Sequence, residues 1–272
     1  MTTHQHDTGY TGPFGTLCDD YPEAAIYPTK DFRTEWGPVF HRGRLDGSAR
    51  VLVIGQDPAQ HEIVVRRILV GEAGHRIQGF LAKLGIDRSY VMVNTFLYSV
   101  YGQGGGNKHQ NDPPIIQYRN RWLDALIPGT KVEAVVALGM LADGAWQARK
   151  GTPTGASANV GFAKITHPTQ PESSSKGDKA KYAAAVKAML ANWNTGLQTL
   201  KPFVKHPDTP RPLVLYGETI QPGDLADIPE ADLPAGSPPW MRGDANFAKR
   251  TGATAEAKRI NIAVTVPKAF RP

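Results

Sequence analysis

Four short apolar runs divide the first two-thirds of the chain, and each ends at a break. They are Arg50-Val-Leu-Val-Ile-Gly55, Tyr90-Val-Met-Val-Asn-Thr-Phe96, Val132-Glu-Ala-Val-Val-Ala-Leu-Gly139 and Gly161-Phe-Ala-Lys-Ile-Thr-His167. Rich in β-branched residues and without strict alternation, they read as strands buried on both faces, as in a parallel sheet. Helical spacing lies between them. Ile77, Phe80, Leu81 and Leu84 share one face over residues 75–85. Asp112-Pro113 has the form of an N-cap and a first-turn proline, opening a helix with Ile115, Ile116, Trp122, Leu123 and Leu126. Residues 178–200 place Tyr182, Val186, Met189, Leu190, Trp193, Leu197 and Leu200 at the same period.

Strands alternating with helices predict βαβ units. The expected fold class is α/β, three layers α/β/α around a mainly parallel four-stranded sheet, with residues 1–200 as the principal domain. From about Lys201 prolines punctuate the chain, and two further strands are expected at Leu213–Tyr216 and Ile260–Val266. Residues 201–272 read as a Pro-rich C-terminal extension packed on the same domain. Gly102–Asn107 lacks the strand–helix context of a dinucleotide fingerprint and reads as a flexible loop.

Composition narrows the chemistry. Among 272 residues there is one cysteine, Cys18, which excludes an intrachain disulfide, a four-cysteine zinc site and a cysteine-held iron–sulfur cluster. The start carries no basic, apolar leader and no run approaches the length of a membrane span. A cytoplasmic protein without membrane attachment is the expectation. A net charge of +6, spread along the chain, permits a polyanionic partner.

Ligands of parallel sheets sit beyond the carboxyl ends of the strands. After the first strand stands Gly55-Gln-Asp-Pro58, a stiff turn that carries Asp57 into the crevice. An aspartate there would serve equally to cap the following helix. The second strand ends on Asn94, an amide that needs partners inside an apolar run. The fourth leads into His167-Pro-Thr-Gln-Pro171, where a histidine leaves the sheet on a stiffened loop. A carboxylate, an amide and an imidazole in one cleft could read a planar heterocycle and break a bond beside it. The acids and His61 around Asp57 leave open a metal-dependent phosphohydrolase.

These motifs, in this order over roughly residues 45–195, resemble the uracil-DNA glycosylase superfamily. Gly55-Gln-Asp-Pro58 is similar to its water-activating motif, His167-Pro-Thr-Gln-Pro171 to its His-Pro-Ser loop, and Val91-Met-Val-Asn94 to the strand bearing its uracil-reading asparagine. Arg67-Ile-Leu-Val-Gly-Glu-Ala-Gly74 and Val135-Val-Ala-Leu-Gly139 resemble stretches of the iron–sulfur branch, whose cluster cysteines are absent, so the likeness is to an atypical branch without them. The resemblance implies a DNA-repair enzyme that flips deoxyuridine out of DNA and hydrolyses its N-glycosidic bond. It implies Asp57 and His167 as catalytic groups, Gln56 and Asn94 as uracil contacts, uracil-containing DNA as partner, no cofactor or metal, and a monomer. A non-excising binder of uracil-containing or single-stranded DNA is the alternative.

Two substitutions mark the pocket. Ala59 stands where the best-known branch has a tyrosine that crowds out thymine. Leu69 stands where an aromatic stacks on the flipped base, a role that Phe80 could fill spatially. Pro171, with Gln170 beside it, aligns with the leucine that enters the gap left by the base. Ser173 and Lys176 follow as candidate phosphate contacts, or as a solvated helix start.

Overall fold

The computed structural model describes residues 9–101, 105–127, 131–150 and 160–271. Its centre is a five-stranded sheet of β1 (His41–Gly43), β2 (Val51–Gly55), β3 (Tyr90–Asn94), β4 (Ala134–Leu138) and β5 (Gly161–Ile165), in the order β1-β3-β2-β4-β5. The last four run parallel, and β1 joins the edge of β3 antiparallel, with Arg42 opposite Met92. The four apolar runs thus form the parallel strands. The fifth strand is a three-residue edge containing His41 and Arg42, too short and too polar to announce itself by periodicity.

The helices are α1 (Pro13–Asp19), α2 (Gln60–Val65), α3 (Glu72–Leu84), α4 (Gly105–His109), α5 (Pro113–Leu126), α6 (Gly139–Lys150), α7 (Gln170–Ser175), α8 (Lys179–Leu200), α9 (Trp240–Gly243) and α10 (Ala255–Ile260). Successive strand side chains point to opposite faces, and the two cores divide accordingly. Val51, Val53, Tyr90, Met92, Ala134 and Val136 meet α3 and α8 on one face. Leu52, Ile54, Val91, Val93, Val135 and Ala137 meet α1, α5 and α6 on the other. Three layers follow from that alternation.

Local signals act as their chemistry dictates, with one exception. Asp178 caps α8 by accepting from the Ala180 and Lys181 N–H groups at 2.9 and 3.0 Å. Pro113 opens α5, but the Asp112 carboxylate turns to His109 Nδ1 at 2.5 Å instead of capping the helix. Of the glycine-rich segment at 102–107, residues 102–104 lie outside the described residues and α4 begins at Gly105.

Beyond Lys201 only part of the expected strand content forms. Leu213–Tyr216 is irregular, with the Tyr216 backbone held by the Asn194 side chain, whereas Ile262–Val264 is β7, paired antiparallel with β6 (Ala248–Arg250). Among the described residues Leu213–Tyr216 finds no strand partner, and a sheet edge cannot form without one. Polar contacts join this segment to the strands. The Asp208 carboxylate accepts three backbone N–H groups, from Asp87, Arg88 and Ser89, at 2.7–2.8 Å. Ile228, Leu233, Trp240 and Phe247 form a third apolar cluster with Val65 and Val70. Arg42 on β1 is fully buried, and its guanidinium donates to Asp232 at 3.0 Å and to Gln78 and Tyr90; the Tyr90 hydroxyl donates to the same carboxylate.

Removing one partner of a buried ion pair strands the other charge, at a cost of about 3–5 kcal/mol. Asp232→Ala is therefore expected to lower unfolding free energy by about that much, read from the denaturant midpoint at constant slope. A loss below about 1 kcal/mol would show that this contact does not hold the tail.

Candidate active site

The carboxyl ends of β2, β3 and β5 open onto a cleft of about 420 Å³ whose lining includes Gln56, Asp57, Asn94 and His167. Three polar groups that are 37 to 110 residues apart in sequence, 57 to 94 and 57 to 167, therefore share one site. Sheet register explains the first pair. Gly55, the last residue of β2, lies opposite Asn94, the last of β3. A Cβ at Gly55 would sit 2.3 Å from Asn94 Oδ1, so only glycine lets the amide lie over the end of β2.

Asp57 follows two residues later, its backbone stiffened by Pro58. Its Oδ2 accepts the Val100 N–H at 2.8 Å and its Oδ1 accepts Gln56 Nε2 at 3.0 Å. The side chain does not cap α2. That task falls to Glu62, whose Oε2 accepts the Ala59 N–H at 3.0 Å while Oε1 takes the Val70 N–H at 3.1 Å and the Gly71 N–H at 3.4 Å. Desolvation is the largest influence on Asp57 and lifts its carboxyl to about 6, with the Val100 and Gln56 hydrogen bonds opposing and the Glu62 charge adding to the rise.

His167 is presented by a loop fixed at several points. Thr166 donates its N–H to Asn192 Oδ1 at 2.6 Å and accepts from Trp193 Nε1 at 2.8 Å. Beyond the histidine, Arg76 on α3 donates to the Pro168 carbonyl and pairs with Glu172 at 2.7 Å. His167 Nδ1 accepts the Thr169 N–H at 3.3 Å, which puts the proton of the neutral ring on Nε2 and makes that atom a donor. Burial drives the imidazole down to about 4, against the Glu172 charge, so the ring is neutral at pH 7.

Other expected residues divide between the cleft and elsewhere. Ala59 and Leu69 line it. Leu69 has φ of 54°, a left-handed conformation rare for a branched side chain, and a Cβ at Gly74 would lie 1.7 Å from its carbonyl oxygen. Phe80 does not reach the cleft. It is fully buried on the core face of α3, edge-on to Trp193 with ring centroids 5.7 Å apart, and cannot stack on a ligand there. Pro171 is buried in the first turn of α7, which removes it as an exposed wedge, while Gln170 beside it is half-buried. Ser173 and Lys176 are exposed on that short helix and its end. Of the acid and histidine group near Asp57, Glu62 spends both oxygens on backbone N–H groups and His61 turns its ring onto Phe247.

Several cleft residues carry no local sequence signal. Thr169 and Glu172 belong to the His-bearing loop, but Ala245, Asn246 and Arg250 come from the far C-terminal segment. The i, i+3 spacing of Ala59 and Glu62 at a helix start was the one available hint of Glu62's role.

A family model described as the uracil DNA glycosylase superfamily matches residues 42–203. More than half of the chain lies within the match, and the chain belongs to that superfamily. No curated protein matches it. The matched span runs from β1 to just past α8 and contains Asp57, Asn94 and His167.

A carboxyl raised from 3.8 to about 6 makes its ionised form a liability to the fold. The cost is absent below about pH 3, grows as pH rises from the unfolded value of 3.8 to the folded-state value of about 6, and is complete above about 7. Asp57→Asn is expected to stabilise the protein by about 1–3 kcal/mol at pH 7 and by nothing measurable near pH 3, in paired denaturant titrations. Equal stability of the two proteins at both pH values would refute the burial argument.

Proposed function

We propose that this superfamily member is a monofunctional glycosylase that hydrolyses the N-glycosidic bond of deoxyuridine in DNA, releasing uracil and leaving an abasic site. The observation that carries the reading is the meeting of Asp57, Asn94 and His167 at the carboxyl ends of three parallel strands. Family membership supports the glycosylase class; the choice of uracil rests on Asn94.

A base inside a duplex cannot reach groups at the floor of a cleft, so the nucleotide is extruded, which costs a few kcal/mol. Asn94 offers an amide N–H to uracil O4 and an amide oxygen to N3–H. Cytosine presents an amino group and an unprotonated N3 at those positions and is refused. As the C1′–N1 bond breaks, its electron pair passes to the base and the sugar becomes cationic. The ionised Asp57 faces that cation and orients a water, whose oxygen ends on C1′ and whose proton leaves toward the carboxylate. Neutral His167 donates from Nε2 to the oxygen where uracil's negative charge gathers. A buried neutral donor suits this task, since it needs no proton of its own to be lost or gained. Ala59 leaves room at the pocket edge, and Leu69 supplies the apolar wall. Gln170, Ser173 and Lys176, on the loop and helix that follow His167, meet the DNA backbone in this reading.

An oligonucleotide with one deoxyuridine, incubated with the protein and then treated with alkali, is expected to break at that position. Asp57→Asn and His167→Ala are each expected to slow excision by about 100-fold or more. Retained gel-shift with no abasic product from the unaltered protein would instead identify a non-excising binder.

The pH profile provides an independent test. Because Asp57 acts ionised, kcat/KM is expected to rise with pH through about 6. No second rise or fall is expected between pH 7 and 8, because His167 titrates near 4. A falling limb centred between pH 6 and 7 would mean that a protonated histidine does the work.

A further inference from the structure

One wall of the cleft lies outside the segment that matches the superfamily. Ala245, Asn246 and Arg250 face the same cavity as Asp57 and His167, yet the match ends at residue 203. The placement is well anchored. Phe247 is fully buried, edge-on to His61 at 4.9 Å, and its carbonyl accepts the Thr265 N–H at 2.8 Å. Strand β6 pairs with β7, Arg250 opposite Ile262. The Trp36 indole donates to the Ile260 carbonyl at 3.2 Å. Strand alternation turns Ala248 and Arg250 one way and Lys249 the other.

Two guanidinium groups outside the cleft lining, Arg33 and Arg259, lie within electrostatic range. Arg33 and Arg259 lie over the ring of Tyr101, 5.1 and 4.9 Å from its centroid. Both are committed: Arg33 to the Ser99 hydroxyl at 3.1 Å and the Val100 carbonyl, Arg259 to Glu35 at 3.0 Å and the Phe32 carbonyl. Arg250 is exposed, and its side chain makes no ion pair or hydrogen bond among the described residues. Burial, and after it the Arg250 charge, holds the Arg33 guanidinium below its usual value, so the two cations feel one another. An exposed guanidinium in the lining of a cleft, without a partner among the described residues and with its charge felt by Arg33, is matched by an anionic group of the ligand.

We propose that Arg250, with Asn246 beside it, binds a backbone phosphate adjoining the extruded nucleotide, so that the C-terminal segment forms part of the DNA-binding face. The assignment rests on the glycosylase reading for its ligand, and the guanidinium fork suits a phosphate.

The test compares Arg250→Ala, Arg250→Lys and, on the opposite face of β6, Lys249→Ala. Each is assayed for uracil excision and for binding to an oligonucleotide carrying a tetrahydrofuran abasic analogue. Arg250→Ala is expected to raise KM about 3- to 30-fold with kcat within twofold, and to reduce the slope of log binding constant against log salt by about one. Arg250→Lys should recover most of the slope, and Lys249→Ala should match the unaltered protein. Thermal unfolding of all three should coincide, because both side chains are exposed. Wild-type KM and salt slope in Arg250→Ala would overturn the inference while leaving the glycosylase assignment intact. An unaltered protein that releases no uracil, yet binds the analogue with an Arg250-dependent slope, would overturn the assignment and support the phosphate contact.

Discussion

The register between β2 and β3 is the constraint on which the site depends. Parallel pairing that sets Gly55 opposite Asn94 ends both strands at one level, and the missing Cβ at Gly55 lets the amide oxygen lie over the neighbouring backbone. The chain leaving β2 then has two residues in which to bring Asp57 beside that amide. It is held there by the Val100 N–H and the Gln56 side chain. A slip of one residue would turn Asn94 to the opposite face of the sheet. The same slip would exchange the sets of Tyr90/Met92 and Val91/Val93 between the two cores, so packing on both faces defends the register of the site.

Desolvation in the cleft acts on acid and base alike. Burial disfavours charge on either, raising Asp57 to about 6 and lowering His167 to about 4. Between those values both groups are mostly neutral; near pH 7 only the carboxylate is charged. One physical effect therefore produces the pairing on which the proposed mechanism draws, a carboxylate and a neutral imidazole lining one cleft. The ionised state is a strain on the fold, retained by tying the surrounding loops down: Glu62 fastens the start of α2 to Val70 and Gly71, and Arg76 fastens the loop after His167.

Legibility in the sequence followed the range of the underlying interaction. The four parallel strands were readable because burial on both faces leaves continuous apolar runs, and α8 because 22 residues repeat one period. Asp57, Asn94 and His167 were readable through strand-end position and motif together. Strand β1 was not, since its two polar residues are paid for by partners far away, Arg42 by Asp232 most of all. Phe80 was misplaced because a helical face says which residues are buried together, but not how deep the helix lies. Pro171 fits both a wedge and a first-turn proline, and its burial in α7 decides for the second. Arg250 belongs to a strand of three residues whose only partner is equally short, so no pattern marked it.

The position of the C-terminal segment follows from the same electrostatic reasoning applied to the fold. Arg42 lies with no exposed surface on an edge strand of the central sheet, and its carboxylate partner is supplied from residue 232. A buried guanidinium is tolerable only with such a partner. The central sheet therefore depends on the segment beyond the superfamily match for charge balance, much as the cleft depends on it for a wall. Residues 228–248 link the two contacts through one apolar cluster that includes Val65 and Val70, which flank the loop carrying Leu69. Changes in that cluster act on both at once: loosening Trp240 or Phe247 weakens the seat of Arg250 and the backing of the loop that presents Leu69 to the cleft. In this chain, the shape of the ligand site and the docking of its last seventy or so residues are consequences of the same packing.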